Sequence, residues 1–121
     1  PFAAPPGDPP RVPPGPWAPP GAYRVRLTAG RETLTAPLLV RMDPRVQTPL
    51  SALHQQFSMS MRLVPSINRM FDASSTSDRA RALHGQLLQI YAVIQGADVA
   101  PTSQALAQAE VLIKEADALV R

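Results

Sequence analysis

Cysteine is absent from this 121-residue chain. That excludes a disulfide framework and every metal site built on thiolates. It does not fix the compartment, because exported proteins also do without cysteine. Lysine is almost absent as well, one against eleven arginines, a bias that reflects a GC-rich genome more readily than a function. Aromatics are scarce, at 5%. Apart from Trp17 and Tyr23 the sheet-forming stretch 17–46 has no aromatic on which bases could stack, and the helical half has no basic face, so the pattern of a nucleic-acid binder is missing. No apolar run approaches the roughly 18 residues of a membrane span. Neither an initiating Met nor a charged-then-apolar leader stands at the front, and the expectation is a processed or truncated chain.

Proline is what the chain has in excess. Ten of its 15 prolines fall in the first twenty positions. A stretch reading PFAAPPGDPPRVPPGPWAPP can form neither a helix nor a central strand. It is expected to run extended, in polyproline fashion, over residues 1–20. Two readings stay open for this arm: a flexible linker, or a segment ordered by packing with Trp17 as its anchor.

From Tyr23 the pattern changes to period two. Tyr23, Val25 and Leu27 alternate with Arg24, Arg26 and Thr28, the mark of a half-buried strand. Ala29-Gly30-Arg31-Glu32 is a turn signal, because Gly30 takes positive φ at no steric cost. The return strand is expected from about Thr33 to Met42, with Leu34, Ala36, Leu38, Val40 and Met42 on one face. Pro37 has no N–H to give a ladder, so this strand lies at an edge or carries its proline at an unpaired position. Asp43-Pro44-Arg45 stops it. A lone hairpin is marginal in water. Its apolar face needs cover, either from downstream helices or from strands outside the chain.

Residues 47–121 change to helical period. Thr48 reads as an N-cap, with Pro49 at the first helical position. Leu50, Leu53, Phe57, Met61, Val64, Ile67 and Phe71 form one stripe. Pro65 is expected to kink or split this helix near Leu63–Val64. The polar run 72–78 connects to a second stripe, Ala80, Leu83, Leu87, Ile90 and Ile94, widened by Leu88 and Tyr91 and stopped at Gly96. A third helix begins at Thr102 or Ser103. Its stripe is Ala105 or Leu106, Ala109, Leu112, Ala116 and Leu119. Three such helices with short loops pack antiparallel. The methionines at 42, 59, 61 and 70 read as core filler.

Charge is uneven. Residues 1–46 hold six arginines against Asp8, Glu32 and Asp43, whereas residues 47–121 balance. Arg24, Arg26 and Arg41 read as a solvated sheet face, or as an anion patch. Catalytic signals stay at background. His54 and His84 have no carboxylate at helical spacing to orient them, and no set of ligands converges as a metal site needs. No G-x-S-x-G elbow or Gly-rich phosphate loop occurs. The acidic residues read as scattered over helix surfaces, unlike the paired carboxylates of a glycosidase cleft.

The stretch PWAPPGAYRVRLTAGRETLTAPLLVRMDPRV resembles the last two strands of the immunoglobulin-like domain of bacterial exported β-propeller proteins of the sialidase-repeat, sortilin-like type. Trp17, Pro20, Gly21, Tyr23, Val25, Leu27, Gly30, Pro37, Leu38, Val40, Asp43, Pro44, Arg45 and Val46 carry the likeness. LHGQLLQIYAVIQGADVAPTSQAL, residues 83–106, resembles the helical tail of the same proteins. The resemblance implies that the other strands of the sandwich, and the propeller, lie outside this chain; no catalytic residue of the family falls on these positions. The fold expected is α+β: a Pro-rich arm (1–20), a β-hairpin belonging to an incomplete immunoglobulin-like sandwich (21–46) and an antiparallel three-helix module (47–121). The function expected is a non-catalytic C-terminal accessory module of an exported, periplasmic or secreted, propeller protein, with no cofactor and no metal. Its partner is the rest of that polypeptide or another protein chain. The candidate packing and interface residues are Trp17, Tyr23, Leu27, Val40 and Met42 in the sandwich, and Phe57, Phe71, Leu87, Ile90 and Leu112 in the helices. The alternative is an independent helical module for oligomerisation or partner binding.

Overall fold

The computed structural model describes residues 15–120. Residues 1–14 of the arm expected over 1–20 lie outside the described residues. The fold is α+β: a hairpin of β1 (Gly21–Ala29) and β2 (Glu32–Val40), then α1 (Leu50–Ala73), α2 (Asp78–Gln95) and α3 (Ser103–Leu119).

The hairpin register pairs Tyr23 with Leu38, Val25 with Ala36 and Leu27 with Leu34. Directly opposed residues share a face, so the alternation in the sequence becomes one apolar sheet face. Gly30 has φ 61°, and no other described residue takes positive φ. One positive φ at the first position of a two-residue loop is the pattern of a type II′ turn, whose twist matches that of the strands. β2 ends at Val40, two residues short of the expected Met42, because Val40 already pairs with Gly21 at the start of β1. The residues before Gly21 are Pro19 and Pro20, which have no N–H to continue the ladder. Asp43 then closes a turn, with its carbonyl accepting from Val46 N–H at 2.9 Å and its carboxylate from Arg45 N–H at 2.9 Å. This is the place and chemistry that Asp-Pro favours.

Helix α1 runs unbroken through Pro65, so the expected split does not occur. Pro65 and Met61, whose carbonyl loses its donor, both lie on the exposed side, where water can serve that carbonyl. Thr48 is not the cap. The helix begins after Pro49 without a side-chain cap, and the Thr48 hydroxyl donates to the Asp98 carbonyl instead. Ser77 caps α2 by accepting from Ala80 N–H, and Thr102 caps α3 by accepting from Ala105 N–H.

The core lies wholly among the helices. Leu63, Met70, Leu83, Leu87, Ala109 and Ala116 are fully buried, and Ile90, Leu112, Tyr91 and Ile94 nearly so. The face expected for α1 is rotated. Leu50, Met61 and Phe71 are exposed, and Phe57 and Val64 are half-buried. Leu53 and Ile67 of the expected stripe are buried, and the rest of the buried side is Gln56, Met59, Ser60, Leu63, Ser66 and Met70. Three of these are polar, so a count of apolar residues misses the true seam. Small serines let the helices approach closely, and Gln56 is buried because its amide has carbonyl partners. Phe71, expected in the core, is 64% exposed and leans on the His84 ring, with centroids 5.6 Å apart.

Candidate interaction surface

Two features outside the core have structure that demands explanation. One is the hairpin face. Leu27 is 63%, Leu34 66%, Val25 49% and Leu38 47% exposed. Among the described residues neither strand packs on any helix. The first possible source of cover, the downstream helices, is therefore excluded. Tyr23 retains 37% exposure and Trp17 62%, while Val40 and Met42 are half-buried. None of the five residues expected inside a sandwich is enclosed among the described residues. In the helices, the structure brings Leu87, Ile90 and Leu112 together in one core, while Phe57 is half-buried and not part of that cluster and Phe71 is exposed.

Tyr23 has a more particular arrangement. Its hydroxyl donates to the Pro19 carbonyl at 2.6 Å, four residues back along the chain. Pro19 is buried. A side-chain Cβ at Gly21 would stand 3.6 Å from the Tyr23 ring, so the ring folds back over the first residue of β1. The hydroxyl thus fixes the entry of the chain into the strand by satisfying a carbonyl that has no ladder to join.

The second feature is a polar relay at the end of the bundle where α2 finishes. Trp17 N–H donates to Gln95 Oε1 at 3.1 Å. Gln95 Nε2 donates to the Ser60 hydroxyl, which donates to the Gln56 carbonyl at 2.8 Å. Gln56 Nε2 in turn serves the carbonyls of Ile94 and Ala97, the latter at 2.8 Å. Those carbonyls belong to the last turn of α2 and the loop beyond it, where an α-helix leaves acceptors unpaired. With Thr48 bound to Asp98, the residues before and after the hairpin are both fastened to residues 95–98. The hairpin therefore projects from one end of the bundle on two anchored roots.

Charge follows the same division. Arg62 binds Glu110, Arg69 binds Asp117 and Arg79 binds Glu115, each joining α3 to another helix; Arg81 binds Asp78 and Arg45 binds Asp43. The hydrogen bond from Arg62 holds the Glu110 carboxyl below its ordinary value, and Glu110 raises that of Arg62. The acidic residues that read as scattered are thus organised as inter-helix pairs. The signal was in the sequence: Arg62 and Arg69 share the seven-residue spacing of Glu110 and Asp117, which suits two parallel helices in contact. Arg24, Arg26, Arg31 and Arg41 have no carboxylate or hydrogen-bond partner among the described residues.

For chemistry the described residues offer little. No three His, Asp or Glu side chains converge as a metal site requires. His54 is exposed, and His84 is half-buried against Phe71. A shallow groove of about 370 Å³ between α1 and α3 is lined by Gln55, Ser58, Met59, Arg62, Leu106, Ala107 and Glu110; its charged groups are already paired with each other. No described helix is long and apolar enough to cross a membrane. No family model, curated protein or solved structure matches the chain.

Proposed function

We propose that this chain is a non-catalytic structural module whose hairpin supplies two strands to an immunoglobulin-like sandwich of a larger protein, with the three helices as a separately packed tail. The observation that carries this reading is that, among the described residues, the apolar face of Val25, Leu27, Leu34 and Leu38 is uncovered and its two-stranded sheet touches no helix. Such a hairpin is not stable on its own, and a face of this kind marks an interaction site. The Tyr23 hydroxyl bound to the Pro19 carbonyl supports the same reading. A tyrosine near the start of a strand, returning its hydroxyl to backbone a few residues upstream, is a corner device of immunoglobulin-like Greek-key sandwiches.

The identity of the larger protein as an exported bacterial β-propeller rests on the sequence resemblance alone. On that reading any catalytic or binding site belongs to the propeller, and this module serves as its C-terminal accessory. The test is to determine the intact mass and N-terminal sequence of the native polypeptide that carries these residues, together with surface labelling of Tyr23. A longer species with Tyr23 protected is the expected result. A native chain that starts at Pro1 and leaves Tyr23 accessible overturns the reading. The helical bundle would then lead, as an independent interaction module.

A further inference from the structure

We infer that the hairpin is completed by strand addition at the free edge of β1, and that the incoming strand, part of the sandwich proposed above, carries carboxylates opposite Arg24 and Arg26. The inference rests on the sandwich reading and specifies its partner. The two edges of the hairpin are not equivalent. The two-residue turn makes Ala29–Glu32 the closing pair, and hydrogen-bonded and non-hydrogen-bonded pairs alternate from there. The outward N–H groups of β1 are therefore those of Ala22, Arg24, Arg26 and Thr28, an unbroken row. On β2 the outward positions are Thr33, Thr35, Pro37 and Leu39. Pro37 has no N–H, so the row is interrupted at its middle, which is how natural edge strands refuse a neighbour. β1 has no proline, no bulge and no inward-facing charge to do the same.

Charge identifies the occupant. Arg24 and Arg26 sit two residues apart on the polar face and stand opposite Pro37 and Thr35 across the pair, so no acid neutralises them within the hairpin. Every described arginine after position 41 has a carboxylate. A second copy fits badly: antiparallel pairing of two β1 edges about Val25 would set Arg24 against Arg26 twice, and like charges directly opposed are destabilising. A strand alternating apolar residues with Asp or Glu extends the Tyr23–Val25–Leu27 face and supplies the missing charges on the other. Main-chain hydrogen bonds give such an addition its affinity, and the alternating side chains give it selectivity.

The experiment uses the 121-residue chain, isotope-labelled, with a synthetic nine-residue peptide alternating Val and Glu as probe and its Val–Lys counterpart as control. Amide exchange should slow at Ala22, Arg24, Arg26 and Thr28 and not at Thr33, Thr35 or Leu39. The Glu peptide should bind roughly ten-fold more tightly than the Lys peptide, and the double substitution Arg24→Glu with Arg26→Glu should reverse that order. Protection along β2, equal affinity for the two peptides, or no protection at millimolar peptide overturns the inference. In the native longer protein, a buried Tyr23 with freely exchanging Arg24 and Arg26 amides would sink strand addition and leave the sandwich reading intact. An accessible Tyr23 there would sink both.

Discussion

The helices and the hairpin handle the same residue types in opposite ways. Leu63, Leu83 and Leu87 are fully buried in the bundle, whereas Leu27, Leu34 and Leu39 are 63%, 66% and 58% exposed in the hairpin. Arg62, Arg69, Arg79 and Arg81 each hold a carboxylate, whereas Arg24, Arg26, Arg31 and Arg41 hold none among the described residues. Buried polar side chains in the bundle all find partners. The helical part thus has a core of its own, and its buried polar groups and described arginines are matched within it, although Leu50, Met61, Phe71 and Val93 stay exposed. The hairpin is satisfied only in its backbone ladder and its turn. Among the described residues the hairpin leaves both its leucines and its arginines unmatched, which is the contrast that the proposed sandwich would explain.

The comparison can be broken most decisively by truncating one leucine in each region. Leu87→Ala removes a fully buried side chain from the packed centre and should destabilise the helices by about 2–5 kcal/mol. Leu27→Ala, at a site 63% exposed, should change the same unfolding transition by less than about 0.5 kcal/mol. Urea unfolding followed by helical circular dichroism measures both. Equal losses would mean that the hairpin and the bundle share a core. If the hairpin enters the sandwich proposed above, Leu27→Ala should become costly there, which sharpens the comparison.

Much of this was legible in the sequence, and what was not has a common cause. Period two and Gly30 located the hairpin and its turn. The apolar stripe of α2 was read correctly from Ala80 to Ile94, since that helix buries only apolar residues. The stripe of α1 was misplaced because its seam includes Gln56, Ser60 and Ser66. These are buried by virtue of hydrogen bonds to backbone and neighbouring side chains, a property that hydrophobicity does not encode. Phe71 drew the expected face toward solvent for the converse reason: it is apolar yet lies on His84 outside the core. Pro65 does not split α1, since the cost of a helical proline falls when the orphaned carbonyl faces water. For the interaction surface, the alternating strand named the face. Pro37 allowed either an edge or an unpaired position until the register fixed it.

Two glycines give a finer test within one helix. A Cβ at Gly85 would meet nothing within 4 Å, whereas one at Gly96 would stand 2.9 Å from the Ala92 carbonyl oxygen. Gly85→Ala should stabilise the bundle by roughly 0.5–1 kcal/mol, because alanine loses less backbone freedom on folding. Gly96 has an ordinary helical φ of −69°, so its requirement is for close approach and not for a left-handed turn. Gly96→Ala should cost about 1–3 kcal/mol through backbone displacement. That displacement would fall on the relay that anchors Trp17 and Thr48 and so loosen the roots of the hairpin. Thermal unfolding gives the two signs; a stabilising Gly96→Ala would contradict the packing described for the end of α2.

The smallest effect separates the two sets of arginines by pH. Arg62 holds the Glu110 carboxyl below its ordinary value through a side-chain hydrogen bond. A carboxyl depressed in the folded state contributes its stability above the unfolded value and loses it as pH falls through the folded one. The bundle should therefore weaken on acidification below the usual glutamate range, and the weakening should be smaller in Glu110→Gln. The pair is solvent-exposed, so salt will screen it and the shift in midpoint will be modest. Arg24→Gln and Arg26→Gln should leave the acid dependence of the isolated chain unchanged, because no carboxylate among the described residues pairs with them. An acid dependence that responds to those two substitutions would place a carboxylate of this chain on the hairpin's polar face. The charge argument for an acidic partner strand would then fail.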